Sequence, residues 1–142
     1  MALHFHGGAK LGKQNKMNKK QLEETLEFTP KFDDKGLIPC ICTCEKTGDV
    51  LMFAFMNEEA LTKTIQSGEA HYYSRSRKEL WHKGATSGQI QKIVEIRTDC
   101  DQDCIWIKVK ETHSCHTGRK SCFYRHVNSR TNLSTHETVD IN

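Results

Sequence analysis

Two short stretches hold most of the residues able to do chemistry. Asp99-Cys-Asp-Gln-Asp-Cys104 places three carboxylates at alternate positions. As an extended segment it points Asp99, Asp101 and Asp103 to one side, and Cys100, Gln102 and Cys104 to the other. Three like charges on one side repel unless a cation lies among them, and hard oxygen donors suit Mg²⁺ bound beside phosphates. The plain alternative is a solvated acidic turn. An EF-hand loop is excluded, because Cys104 and Lys110 stand where that loop needs its glycine and glutamate.

The second stretch is Ser114-Cys-His-Thr-Gly-Arg-Lys-Ser-Cys-Phe123. Six residues with a glycine at the bend separate Cys115 from Cys122, so a loop can bring both sulfurs to one ion. Two thiolates are too few for zinc. Cys100 offers a third, and three protein ligands leave one position for water, the pattern of a catalytic zinc site. His116 then has two readings: a fourth ligand that closes the site, or a proton carrier beside it.

A third stretch, Tyr72 to Gly88, concentrates positive charge: His71 to Lys92 holds five Lys/Arg and one acid. Ser74, Arg75, Ser76 and Arg77 offer hydroxyls and forked guanidinium donors suited to phosphate. Lys83, Thr86 and Ser87 lie in a second, small-residue turn whose backbone N–H groups can face an anion. Tyr72, Tyr73 and Trp81 can stack on a base, though burial in a sheet is the commoner fate of such rings.

These residues need a frame. Leu37 to Cys44 and Val50 to Met56 read as strands around a Lys46-Thr-Gly-Asp49 turn, the second at the sheet centre. Asn57 as N-cap, Glu58 and Glu59 in the first turn and Gly68 at the end predict a helix over 58–67. Further strands are expected at 70–74, 90–98, 105–111 and 122–127. A short amphipathic helix is expected within 14–28. The sum is a mainly β, α+β fold: a compact, barrel-like, mostly antiparallel sheet with one or two short helices. Residues 1–35 form a leader, 36–127 the domain and 128–142 a loose polar tail. Cys40, Cys42 and Cys44 alternate on one face, either as soft-metal ligands or as small buried fillers.

At 142 residues the chain is one domain, large enough to bury roughly 70% of its unfolded surface. No apolar run approaches the ~18 residues of a membrane span, and Met1 to Gly8 is too short and polar for a signal-peptide core. Seven cysteines without a secretion signal point to a reducing, cytoplasmic setting where clustered Cys and His bind metals. A net charge of +3 is mild for a nucleic-acid binder. Lys10, Lys13, Lys16, Lys19 and Lys20 form a basic run in the leader, best read as solvated.

Taken in order, these blocks resemble the phosphoribosyl-AMP cyclohydrolase family over about residues 36–123. The resemblance is carried by Phe55-Met-Asn-Glu-Glu-Ala-Leu61, Tyr73-Ser-Arg-Ser-Arg77, Leu80-Trp-His-Lys-Gly84, Thr86-Ser-Gly88 and the two metal-like stretches. It implies a hydrolase that opens the purine ring of 1-(5-phosphoribosyl)-AMP at N1–C6 with zinc-bound water. The product is the formimino-aminoimidazole carboxamide ribotide of histidine biosynthesis. It also implies a homodimer with active sites at the subunit interface and a small nucleotide as partner, with no nucleic acid or membrane. Zinc ligands would be Cys100, Cys115 and Cys122; magnesium ligands Asp99, Asp101 and Asp103; His116 would assist proton transfer. The sequence departs from the family at Gln89, where many members carry His or Asn, and at Cys104, which is treated as an incidental thiol.

Two rivals bound this reading. A zinc nucleoside deaminase needs His-x-Glu and Pro-Cys-x-x-Cys, and neither occurs. A structural-zinc, RNA-binding module would use the Ser-Arg-Ser-Arg face but needs a closed, four-ligand site.

Overall fold

The computed structural model describes residues 17–135. The loose arm and Lys10, Lys13 and Lys16 of the basic run lie outside the described residues, as does the end of the tail. Lys19 and Lys20 open α1 (Lys19–Glu24), capped by a reciprocal pair: Gln21 N–H donates to the Asn18 side chain, and Asn18 N–H to the Gln21 side chain. The helix is shorter than expected because Thr25 turns extended and Leu26 is fully exposed, leaving Leu22 alone to bury.

Eight strands follow or flank a second helix: β1 (Ile38–Cys44), β2 (Val50–Met56), α2 (Glu58–Ser67), β3 (His71–Ser74), β4 (Glu79–His82), β5 (Ile93–Thr98), β6 (Ile105–Val109), β7 (His126–Val127) and β8 (Leu133–Ser134). The main sheet is curled and runs β4-β3-β2-β1-β6-β5, all antiparallel except the β1–β6 pair. Among the described residues no helix is long and apolar enough to cross a membrane.

Alternation along the strands builds the core on one face. Ile38, Cys40, Cys42 and Met56 are buried there with Ile105, Ile107, Val109 and Tyr72. Cys40, Cys42 and Cys44 therefore serve as compact fillers, each side chain at most 4% exposed. The other face leaves Phe53 and Trp106 partly open. The α2 boundaries match the expectation: Ala60 N–H donates to the Asn57 side chain, and Gly68 ends the helix in the left-handed region. Thr64 ties α2 to β3, accepting from His71 N–H at 2.9 Å while donating to the Ala60 carbonyl at 2.8 Å.

Three expectations need correction. Strand β4 was unforeseen; it exists by pairing Trp81 with Tyr72 and His82 with His71. The 122–127 strand shrinks to β7, because Ser121 and Cys122 instead bond to Val50 and Leu51 of β2. Residues read as loose tail continue into β8, held by Asn128 N–H on the Asn132 carbonyl.

Candidate active site

The cysteine loop begins after β6 and folds tightly on itself. Ser114 N–H donates to the Lys120 carbonyl, Cys115 N–H to Arg119 and Gly118 N–H back to Cys115. Its far end is pinned to the free edge of β2, Cys122 N–H reaching the Leu51 carbonyl at 2.7 Å. This closure brings the two cysteines near one another, and the Thr117 hydroxyl donates to the Cys115 sulfur at 3.0 Å. Burial opposes ionising Cys115, yet hydrogen bonds from Thr117 and Cys122 and the charge of Lys83 leave its thiol below the ordinary range. Burial and the neighbouring Cys115 push Cys122 up to about 11.

The acidic stretch takes the second of its two readings, a turn rather than an extended segment. It joins β5 to β6, with Gln102 N–H on the Asp99 carbonyl and Gln102 at φ +58°. Asp99 caps the turn, its side chain accepting from Asp103 N–H at 3.0 Å and Cys104 N–H at 3.1 Å. The turn still gathers the carboxylates: one oxygen each of Asp99, Asp101 and Asp103 lies within 4.8 Å of the others. Hydrogen bonding to Asp99 and Asp101 and their repulsion raise Asp103 to about 6. Crowded, hard oxygen donors of this kind suit a divalent cation.

Among the described residues these carboxylates are the only set of three such groups that converges. Cys100, exposed on the same turn, does not join Cys115 and Cys122 within one chain. A soft sulfur pair suits zinc, and within one chain only two of the three cysteines that the family resemblance implies as ligands lie on the same loop.

A cleft of about 450 Å³ opens beside the sulfur pair. Arg77, Trp81, Lys83, Thr86 and Ser87, the candidate substrate ligands, line it together with Cys115 and the exposed His116. Ser74, Arg75 and Ser76 are not part of the lining; Arg75 lies over the Phe55 ring at 4.1 Å instead. Ser74 has a supporting place, accepting from the backbone and Nε of Arg77. Tyr72 is fully buried and presents no face for stacking.

The hydrogen-bond roles of several residues around the cleft have no sign in the sequence. Gln91, fully buried, accepts from the Tyr72 hydroxyl at 2.5 Å and donates to Ser114 Oγ at 2.9 Å, fixing the residue before Cys115. Lys83 is buried, its pKa lowered chiefly by desolvation against the pull of Cys122, Cys115 and Cys42. Gln89 accepts from Thr112 Oγ and His113 N–H, clasping the approach to the cysteine loop. Gly84 sits at φ +85°, where an added Cβ would lie 2.3 Å from the Gln89 carbonyl carbon, so only glycine fits. A buried network of this sort has no period in the sequence to announce it.

A curled sheet carrying a cationic, thiol-edged cleft is the framework of an enzyme acting on a small polar molecule. The phosphoribosyl-AMP cyclohydrolase family matches residues 52–124. The chain is 62% identical over 107 residues to the phosphoribosyl-AMP cyclohydrolase of Nitrobacter hamburgensis, spanning 75% of this chain and 73% of the relative. It is 61% identical over 108 residues to that of Bradyrhizobium diazoefficiens, spanning 75% and 77%. The chain belongs to this family of hydrolases of histidine biosynthesis.

Proposed function

We propose that this protein hydrolyses 1-(5-phosphoribosyl)-AMP in the cytoplasm, opening the purine ring between N1 and C6. The observation that supports the mechanism is a cleft lined by both Cys115 and His116, with Cys122 at the far end of the same folded loop. Cys115 and Cys122 would hold zinc with Cys100 of a second copy, in a homodimer, and Asp99, Asp101 and Asp103 would hold magnesium. Bound there, zinc supplies Lewis acidity that makes water a nucleophile near neutral pH.

The chain's own residues then divide the work. Ribosylation at N1 leaves C6 amidine-like and electrophilic. Water adds to C6, the N1–C6 bond breaks, and the carbon becomes a carboxamide. Both protons leave the attacking oxygen, one going to the exocyclic nitrogen to complete the carboxamide and one to N1 as its bond to C6 breaks. The His116 ring, which lines the cleft, would carry the proton to N1. Arg77 and the Thr86–Ser87 turn bind phosphate, while Trp81 faces the base and narrows the site against solvent. The structural-zinc RNA module is not favoured, since the matching family and the relatives are cyclohydrolases.

Purified protein tests this directly. The ultraviolet spectrum of phosphoribosyl-AMP should change on addition of enzyme, stop changing after chelation and resume with zinc. Retarded RNA with untouched nucleotide would overturn the assignment.

A further inference from the structure

Lys83 was expected to meet substrate phosphate, but its surroundings are those of a buried charge. Only 8% of the residue is exposed. Its Nζ donates to the Ser114 carbonyl at 2.5 Å and lies 5.3 Å from the Trp81 ring centre. The ionisable groups acting on it are all thiols: Cys122, Cys115 and Cys42. A buried ammonium is costly unless something anionic stands beside it. Three thiolates on a divalent ion would leave one net negative charge, with Cys115, the buried member of the set, directly after the Ser114 that Lys83 contacts.

We propose that Lys83 is the fixed counter-charge of the metal site, a positioning residue that stabilises thiolate ligation rather than a ligand of substrate phosphate. This rests on the reading of Cys115, Cys122 and a second copy's Cys100 as zinc ligands. One ammonium cancels the single excess charge of that set. Its hydrogen bond to Ser114 also fixes the backbone immediately before Cys115, and the buried chain Tyr72–Gln91–Ser114 holds the same residue from the other side. The charge is therefore delivered at a set place, which a mobile surface lysine could not do. Outer-shell partners of this type are worth ~10–100-fold in metal affinity.

The test is zinc affinity, measured by competition with a chromogenic chelator on the intact enzyme. Wild type is read first: if it takes up no zinc, the cysteine reading itself fails, and that result is separate from anything Lys83 does. Given a wild type that binds zinc, Lys83→Met should bind it ~10–100-fold more weakly. On fully zinc-loaded enzyme its KM for phosphoribosyl-AMP should stay within about twofold, because no phosphate contact is lost. Lys83→Ala provides the second variant, and ethylammonium should restore zinc affinity by refilling the vacated place. Unchanged zinc affinity in Lys83→Met overturns the proposal, and a large rise in KM beside it returns Lys83 to the phosphate. Failure of the amine to restore affinity in a folded Lys83→Ala overturns it as well.

Discussion

The Gln102 side-chain oxygen accepts from Thr29 N–H at 2.7 Å, across 73 positions of chain. The same residue donates from its side-chain nitrogen to the Glu27 carbonyl at 3.1 Å, and its own carbonyl accepts from Lys31 N–H at 2.7 Å. Gln102 thus straps the segment before β1 onto the acidic turn. It does so at φ +58°, a conformation that non-glycine residues hold only where their surroundings fix it. Two side-chain bonds at ~1 kcal/mol each put the cost of Gln102→Ala at about 2 kcal/mol. Gln102→Gly should recover part of that by relieving the backbone. Urea denaturation compares the three; equal midpoints would show that the strap contributes nothing.

The elements that sequence revealed are those whose causes are local. Asn57, Glu58, Glu59 and Gly68 mark both ends of α2 because capping is settled within a turn. Ile38 to Cys44 announces itself by its period of two. Strand β4 could not be read, since Leu80 and Trp81 lie between charges and become a strand only by pairing with β3. The sequence leaves the acidic stretch open between an extended segment and a turn, because a positive φ at a glutamine depends on partners 73 and 75 positions away. For the site, the spacing of Cys115 and Cys122 about Gly118 signals a loop that turns back on itself, as the backbone bonds of Ser114, Cys115 and Gly118 do. The burial of Lys83 and the Tyr72–Gln91–Ser114 chain did not show, because nothing in polar side chains separated by 19 and 23 positions marks them as partners.

Placing Cys100 on one turn and the Cys115–Cys122 pair on another, unconverged within a chain, leads to a prediction about assembly. Cys100→Ala and Cys115→Ala should each be inactive alone. Co-expressed, they should regain roughly a quarter of wild-type activity, since about half of randomly paired dimers hold one intact site of two. Separate affinity tags allow the mixed dimer to be isolated and assayed. A mixed dimer as inactive as its parents would place all three sulfurs of a site in one chain, or none in trans.

His116 is exposed at the cleft, adjacent in sequence to Cys115. As a proton carrier it should be dispensable for metal binding: His116→Ala should lower kcat by ~10²–10⁴-fold while zinc content per chain is unchanged. Zinc analysis and turnover on the same preparation decide the point. Loss of zinc with loss of activity would make His116 a ligand.

The stacked rings of His71 and His82, 4.3 Å apart and 7° from parallel, lead to a pH dependence of stability. His71 is 8% exposed, and its Nδ1 faces the Glu69 carbonyl at 2.8 Å. Burial holds its pKa below 6.5, and the charges of His82 and Lys63 act the same way, against the Glu69 carbonyl and carboxylate. Its folded pKa is depressed, so the unfolded chain takes up the proton first as pH falls. Its contribution to stability is therefore full above about pH 6.5 and is lost progressively as the pH drops through the folded value. One proton can contribute a slope of at most ~1.4 kcal/mol per pH unit. Urea midpoints between pH 7.5 and 5.5 should fall in wild type and fall less steeply in His71→Gln, which keeps the backbone bond to Thr64 without a group that titrates. Parallel slopes in the two proteins would mean that His71 takes up its proton as readily folded as unfolded.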